Sequence, residues 1–203
     1  MLAILDYKAG NQTSVRRALE HLGIPCAITA DPATLERAHG IIFPGVGAAG
    51  QAMRALHPTG LDVLLREAVK RGQPLLGICL GCQILLDRSE ENDTTTLGIV
   101  PGLCRRFEDN MREEDGTPAP IPHMGWNSVE NLRSGLFTGI DQGTYVYYVH
   151  SFAPEVNADT IATTTYGVPF SAAIRKDNFY GTQFHPEKSA SIGAQILQNF
   201  LTL

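Results

Sequence analysis

The chain of 203 residues lacks several features that would mark it as a secreted, membrane or nucleic-acid-binding protein. It has only four cysteines, and Cys26 and Cys104 stand alone, which favours reduced thiols in the cytoplasm over a disulfide framework. No apolar run approaches the roughly 18 residues that span a bilayer, and the apolar run at the start is too short for a secretory leader. A net charge of -5 gives no electrostatic case for binding nucleic acid or an anionic membrane.

The sequence also lacks internal repeats, low-complexity segments and any linker that would divide it, so residues 1–203 are expected to form one domain. In the first half, short apolar runs alternate with segments of helical periodicity. This alternation predicts an α/β fold with an open, mostly parallel central sheet and helices on both faces. The second half predicts additional antiparallel strands and a terminal helix. A glycine- and alanine-rich turn is expected between a strand at residues 40–45 and a helix at residues 60–72, and a further helix is expected over residues 82–91.

The segment PLLGICLGCQ, residues 74–83, holds Cys79 and Cys82 and allows two interpretations. As C-x-x-C it suggests a redox pair or half of a zinc site. As G-x-C-x-G it places Cys79 on a tight turn between a strand and a helix, with Gly77 and Gly81 allowing the backbones to approach. Zinc needs two more ligands, and no second C-x-x-C or H-x-x-x-H is present, so no metal is expected. The redox interpretation, with Cys82 as the resolving thiol, stays open at this point.

The segment GTQFHPEKS, residues 181–189, supplies the groups that a cysteine nucleophile needs. His185 follows a predicted strand, and Glu187 comes two residues later. A nucleophilic cysteine requires a base within hydrogen-bonding reach and a carboxylate that orients the base. In a third segment, FPGVGAAG, a predicted strand ends in Pro-Gly-Val-Gly. The backbone amides at this strand end are little covered by side chains and could help to bind an oxyanion. Together these segments favour the nucleophile interpretation of Cys79.

The chain resembles the triad, or class I, glutamine amidotransferases, and within that family the glutaminase subunits of imidazole glycerol phosphate synthases from histidine biosynthesis. The motifs that carry the resemblance are ILDYKAGN, FPGVGAAGQAM, GICLGCQILLDRSEE, LGIVPG, PHMGWNSV, YVHSF and GTQFHPEKS. They are distributed along the sequence, and the resemblance extends over nearly the whole chain. The Cys and His-Pro-Glu motifs specify the family, whereas PHMGWN and HPEKS specify the histidine-pathway branch. The sequence departs from the usual pattern at Lys8, Ala49 and Cys82, where glycine, an aromatic residue and methionine are usual.

Carried over position by position, the resemblance makes Cys79 the nucleophile, His185 its base and Glu187 the orienting carboxylate. The other implied positions are the oxyanion amides of Leu80 and of Gly45, Val46 or Gly47; Gln83 and Glu91 at the α-amino end of glutamine; the backbone of Ser151 and Phe152 at its carboxylate; and Asn11, Trp126, Tyr147 and Lys188 facing a partner. Met124 is expected to be a core residue.

The function implied by the resemblance is that of a hydrolase that needs no cofactor. Glutamine would be cleaved to glutamate and ammonia through a cysteine thioester. The ammonia would pass to a (β/α)₈ cyclase, the other half of a heterodimer, which forms imidazole glycerol phosphate and an aminoimidazole carboxamide ribotide. Two alternatives remain: a glutaminase that serves a different synthase, and a dithiol oxidoreductase that uses Cys79 and Cys82. The second alternative gives His185 and Glu187 no role.

Overall fold

The computed structural model describes residues 1–8 and 11–203. The strands in this part of the chain are β1 (Leu2–Leu5), β2 (Cys26–Thr29), β3 (Gly40–Gly45), β4 (Leu75–Cys79), β5 (Arg88–Ser89), β6 (Thr94–Thr95), β7 (Leu103–Arg106), β8 (His123–Val129), β9 (Thr144–His150), β10 (Phe152–Pro154), β11 (Thr160–Tyr166), β12 (Val168–Lys176) and β13 (Phe179–Thr182). The α-helices are α1 (Gln12–His21), α2 (Pro32–Arg37), α3 (Ala49–Leu56), α4 (Leu61–Lys70), α5 (Leu80–Gln83) and α6 (Ala190–Phe200). None of these helices has the length and apolar character needed to span a membrane.

The central sheet has seven strands in the order β11-β12-β13-β4-β3-β1-β2. Strands β1, β2, β3, β4 and β13 pair in parallel, and β12 and β11 continue the sheet in antiparallel fashion. The predicted fold class is therefore confirmed. Because the carboxyl ends of parallel strands meet at one edge, the residues that follow β3, β4 and β13 come together there.

Both faces of the central sheet are covered, as the apolar sequence of β1 indicates. Leu2 and Ile4 pack in one core with residues of α1 and α6. Ala3 and Leu5 point the other way, into a second core shared with α2, α3 and α4. Successive side chains of a strand point to opposite faces, so a wholly apolar strand fits only between two cores.

Two smaller sheets complete the structure. One has the order β10-β7-β5-β6, and the other is the β8-β9 ribbon. On the outer face of the ribbon, Met124 is 66% exposed and Trp126 is 51% exposed. The expectation that Met124 is a core residue was wrong, because the ribbon is covered on one face only and Met124 lies on the same open face as Trp126.

Two local expectations in the first half were also wrong. The segment between the strand at residues 40–45 and the helix at residues 60–72 is not only a turn, because it contains α3, which begins at Ala49. The helix expected over residues 82–91 stops at Gln83. The carbonyls of Ile84, Leu85 and Leu86 accept hydrogen bonds from the amides of residues 97–100, so they cannot accept the i→i+4 bonds of a continuing helix.

Candidate active site

Cys79 occupies a strained turn between β4 and α5. Its φ and ψ angles are 54° and -108°, a region that residues with side chains rarely adopt. Two glycines permit this conformation. A Cβ on Gly81 would lie 1.9 Å from the carbonyl oxygen of Phe43, and a Cβ on Gly77 would lie 2.7 Å from the carbonyl of Gly81. The glycines are thus required by close backbone contact, and the turn presents Cys79 at the carboxyl edge of the sheet.

The two neighbouring cysteines have different surroundings. The Cys79 thiol lies 3.9 Å from the carbonyl oxygen of Val149 and accepts from Nε2 of Gln183 at 3.7 Å. Cys82 is fully buried and packs against Gly181, where an added Cβ would be 2.6 Å from its Sγ. Burial raises the pKa of the Cys82 thiol. All four cysteines are free, so C-x-x-C is not a disulfide here.

His185 and Glu187 form a buried pair next to this turn. Nδ1 of His185 lies 2.7 Å from Oε1 of Glu187, and neither side chain is exposed to solvent. The same carboxylate oxygen accepts from the side-chain amide of Asn11 at 2.5 Å. Nε2 of His185 has no hydrogen-bond partner among the described residues. The ring is therefore oriented through Nδ1, and Nε2 stays available.

The backbone of His185 is fixed to the β8-β9 ribbon. Its amide donates to the carbonyl of Tyr147 at 2.9 Å. The hydroxyl of Ser189 donates to the carbonyl of His185 at 2.6 Å and accepts from the Tyr147 amide at 3.0 Å. The segment HPEKS thus carries both the imidazole and the serine that holds it in place.

The surroundings of His185 favour its charged form. Burial alone would lower its pKa, but the interactions with Cys79 and Glu187 outweigh burial and raise the pKa to about 10. Because Nδ1 is engaged by Glu187, the interaction with Cys79 falls to Nε2. The site is therefore built to hold a proton between the imidazole and the thiol.

A cavity of about 310 Å³ opens over Cys79. It is lined by Val46, Gly47, Cys79, Leu80, Gln83, Glu91, Val149, His150, Ser151, Phe152 and His185. Nine of these positions are among the site residues that the sequence predicts. The cavity is at the small end of the range for ligand pockets and fits an amino acid better than a large cofactor.

The predicted oxyanion and substrate positions lie around this cavity. Gly45 pairs with Cys79 in the β3-β4 register, so the segment after β3 runs alongside the thiol. Nε2 of Gln83 donates to the carbonyl of Phe152 at 2.8 Å. One carboxylate oxygen of Glu91 accepts from the amide of Ala49 at 2.6 Å, which ties the carboxylate to the start of α3.

Three of the four residues predicted to face a partner form one surface patch, defined here as Trp126, the half-buried Tyr147 and Lys188. The Trp126 and Tyr147 rings meet edge to face with centroids 6.0 Å apart. The ammonium of Lys188 lies 5.7 Å from the Tyr147 ring centre. The fourth residue, Asn11, is separate: its side chain turns inward to Glu187.

Sequence reasoning missed three contacts of the site: those of Val149, His150 and Gln183. A signal existed for Gln183, which stands two residues before His185 and so falls on the same face of an extended chain. No such local signal existed for Val149 and His150, which come from a different strand. Within residues 1–8 and 11–203, no group of three or more His, Cys, Asp or Glu side chains is arranged to hold a metal ion.

The fold and the site agree with the result of comparison with known families. The family model for "Glutamine amidotransferase class-I" matches residues 3–203. The chain belongs to the class I glutamine amidotransferase family.

Two relatives specify the branch of the family. The chain is 64% identical over 202 residues to "Imidazole glycerol phosphate synthase subunit HisH" of Desulfovibrio desulfuricans, covering 98% of this chain and 93% of that protein. It is 60% identical over 202 residues to the protein of the same name from Nitratidesulfovibrio vulgaris strain Miyazaki F, covering 98% and 95%. A solved structure described as "Crystal structure of glutamine amidotransferase" matches with a TM-score of 0.74 at 17% identity, covering 99% of this chain and 97% of that one. This last likeness concerns the fold alone.

Proposed function

We propose that this chain is the glutaminase subunit of an imidazole glycerol phosphate synthase and that it acts in the cytoplasm as one domain. It hydrolyses glutamine to glutamate and ammonia and passes the ammonia to a (β/α)₈ cyclase in a heterodimer. The observation that supports this most strongly is the meeting of Cys79 with the His185–Glu187 pair at one cavity. The names of the relatives support the histidine-pathway assignment.

The chemistry proceeds in two halves that share one proton carrier. His185 holds the proton of the Cys79 thiol at Nε2, and the sulfur attacks the side-chain amide carbon of glutamine as a thiolate. The oxyanion is stabilised by the amide of Leu80 and by one amide from Gly45, Val46 or Gly47. His185 then protonates the leaving nitrogen, which departs as ammonia and leaves a glutamyl thioester on Cys79.

Water completes the cycle. His185 accepts a proton from a water molecule, the resulting hydroxide attacks the thioester carbon, and glutamate leaves as the proton returns to the sulfur. Glu187 accepts from Nδ1 of His185 throughout the cycle, so that Nε2 is the nitrogen that gives up and takes back the proton. The reaction needs no metal or cofactor.

Recognition of glutamine uses the residues around the cavity. Gln83 and Glu91 bind the α-amino end, and backbone groups of Ser151 and Phe152 bind the α-carboxylate. Glu91 keeps one oxygen for this purpose while its other oxygen is held by Ala49. Binding of both charged groups on the α-carbon fixes the side-chain amide at the other end of glutamine over the nucleophile.

The cyclase docks on the surface patch of Trp126, Tyr147 and Lys188. Tryptophan and tyrosine are enriched at the energetic centre of interfaces. Docking matters chemically because ammonia released into water at neutral pH is mostly protonated and is then no nucleophile. A sheltered route between the two active sites avoids that loss.

The assembly also controls the first site. The Val46 peptide lies between Gly45 and Gly47, and Gly47 has a φ of 95° that suits glycine. If its carbonyl faces the forming oxyanion, the hole is incomplete, and one missing donor can cost roughly 10²–10³ in rate. A bound cyclase with its ribulosyl substrate would favour the orientation in which an N–H faces the oxyanion.

The test is glutamine hydrolysis by the chain alone, with the cyclase, and with the cyclase and its ribulosyl substrate. We expect slow hydrolysis alone and a rise of at least about a hundredfold in the complete system. If glutamine hydrolysis is stimulated by a different synthase and not by the cyclase, the chain is the glutaminase of that other synthase and the histidine-pathway assignment is wrong. A functional dithiol couple without glutamine turnover would support the oxidoreductase alternative, which the buried position of Cys82 disfavours.

A further inference from the structure

A pair of buried histidines lies behind the wall of the cavity and has no part in the reaction above. Nδ1 of His123 is 3.0 Å from Nε2 of His150. The two residues are 4% and 6% exposed. His150 lines the cavity, and His123 lies one step further from it, stacked on Tyr148 and Tyr166 with ring centroids 4.8 and 4.0 Å away. We call His123 and His150 the histidine pair.

The hydrogen bonds of the histidine pair run in one direction. Nδ1 of His150 is 2.8 Å from the carbonyl oxygen of Phe152, which only accepts, so this nitrogen carries the proton. In a neutral ring the other nitrogen, Nε2, is then an acceptor, and Nδ1 of His123 must donate to it. Nε2 of His123 is left to accept from the side-chain amide of Asn127 at 3.4 Å. The chain of donors thus leads from Asn127 to the Phe152 carbonyl.

The histidine pair stays neutral near neutral pH, which preserves this direction. Burial lowers the pKa of His123 to about 4. Burial and the nearby His123 lower the pKa of His150 to about 3, although its bond to the Phe152 carbonyl favours protonation. A neutral ring bonded at both nitrogens has only one tautomer that satisfies its partners, so neither ring can turn over without losing a bond.

The carbonyl at the end of the chain belongs to the peptide wall of the cavity. The Phe152 oxygen accepts from both His150 and Gln83 at 2.8 Å. The preceding carbonyl, of Ser151, accepts from the amide of Phe107 at 3.0 Å. Because the N–H and C=O of one trans peptide point in opposite directions, the Phe152 N–H points away from β7. Fixed carbonyls on both sides of Phe152 therefore fix the direction of its amide.

We propose that His123 is a positioning residue for glutamine: through His150 it holds the Phe152 peptide so that the amide binds the substrate α-carboxylate. This rests on the proposed function, in which Ser151 and Phe152 bind that carboxylate. His123 touches neither the substrate nor the reacting atoms. Its loss should weaken substrate binding and leave the chemical reactivity of Cys79 unchanged.

The test compares two thiol reagents on the full chain. The first is a glutamine-like chloroketone with free α-amino and α-carboxylate groups, and the second is iodoacetamide, which has neither. His123→Phe keeps a ring between the two tyrosines but removes the donor. We expect its labelling by the chloroketone to slow about tenfold, as for one misplaced hydrogen bond, while labelling by iodoacetamide is unchanged.

His123→Asn is the matched control, since its amide keeps a donor near the position of Nδ1. It should retain most of the chloroketone rate, even though it loses the ring stacking. With the cyclase present, His123→Phe should raise KM for glutamine about tenfold and change kcat less than about twofold. A folded His123→Phe protein with wild-type chloroketone rate would overturn the positioning role.

Nitrogen NMR of the histidines in the wild-type protein gives a test that needs no folded variant. Both members of the histidine pair should carry the proton on Nδ1, and a proton on Nε2 of His150 would overturn the proposed chain. A wild-type protein that shows no preference for the chloroketone over iodoacetamide would overturn the glutaminase function itself, and the positioning role with it. The experiments therefore distinguish an absent positioning role of His123 from an absent glutaminase function.

Discussion

Ser189→Ala should weaken the fold at the point where the base is attached to the β8-β9 ribbon. Ser189 is fully buried, and although it precedes α6 its hydroxyl does not cap that helix. The hydroxyl bonds the Tyr147 amide and the His185 carbonyl instead. After the substitution the His185 carbonyl still accepts from the amide of Lys188 at 3.0 Å, whereas the Tyr147 amide loses its partner.

One orphaned, largely buried amide costs about 2 kcal/mol of unfolding free energy, which corresponds to a fall in Tm of about 6 °C for a chain of this size. Urea and thermal unfolding measure it. Ser191→Ala is the matched control, because Ser191 is exposed in the first turn of α6 and its substitution should change stability by less than about 0.5 kcal/mol. Equal unfolding midpoints for the two variants would refute the anchoring role of Ser189. Glutamine turnover with the cyclase should fall in Ser189→Ala alone, because only there does the backbone of His185 lose one of its hydrogen bonds.

Three further predictions concern other parts of the site. Cys79→Ser should abolish glutamine hydrolysis, whereas Cys82→Ser should fold and keep most of it; equal loss in both would contradict the assignment of the nucleophile. Tyr7→Phe removes a buried hydroxyl that has no partner among the described residues, so the unfolding free energy should stay level or rise by about 1 kcal/mol. Tyr148→Phe removes a buried hydroxyl that is bonded to Thr164 at 2.6 Å, so the unfolding free energy should fall by about 1 kcal/mol. The pKa values of His123 and His150 are about 4 and 3, below the ordinary 6.5, so between pH 6.5 and pH 4 the unfolded chain binds more protons than the folded one. The unfolding free energy should therefore fall as the pH drops from about 6.5 toward 4. Urea titrations that give the same unfolding free energy over this range would contradict a neutral histidine pair.

The parts of the site that sequence predicts are those set by local geometry. Glycines two residues before and after Cys79 are needed by the turn itself, so the turn is readable without a partner strand. The contact between His185 and Glu187 can be predicted in the same way, because the two residues are only two positions apart. Met124 was open to the same reasoning: if Trp126 faces outward on a strand, the residue two positions earlier does so too.

The parts that sequence does not predict depend on register between distant segments. Asn11 reaches Glu187 across 176 residues, and His123 reaches His150 only because β8 and β9 place them directly opposite. The early end of α5 has the same origin, since residues 97–100 take the carbonyls that a longer helix would need. The helical periodicity after Gln83 does not indicate that a distant segment binds these carbonyls.

The packing of Cys82 against Gly181 also determines how the nucleophile fares under oxidative stress. A sulfenic acid on Cys79 is rescued within a protein when a second thiol can attack it and form a disulfide. Cys82 is sealed between α5 and β13 and cannot swing toward the cavity without displacing the sheet backbone. Recovery of oxidised Cys79 therefore depends on thiols that are small enough to enter the cavity.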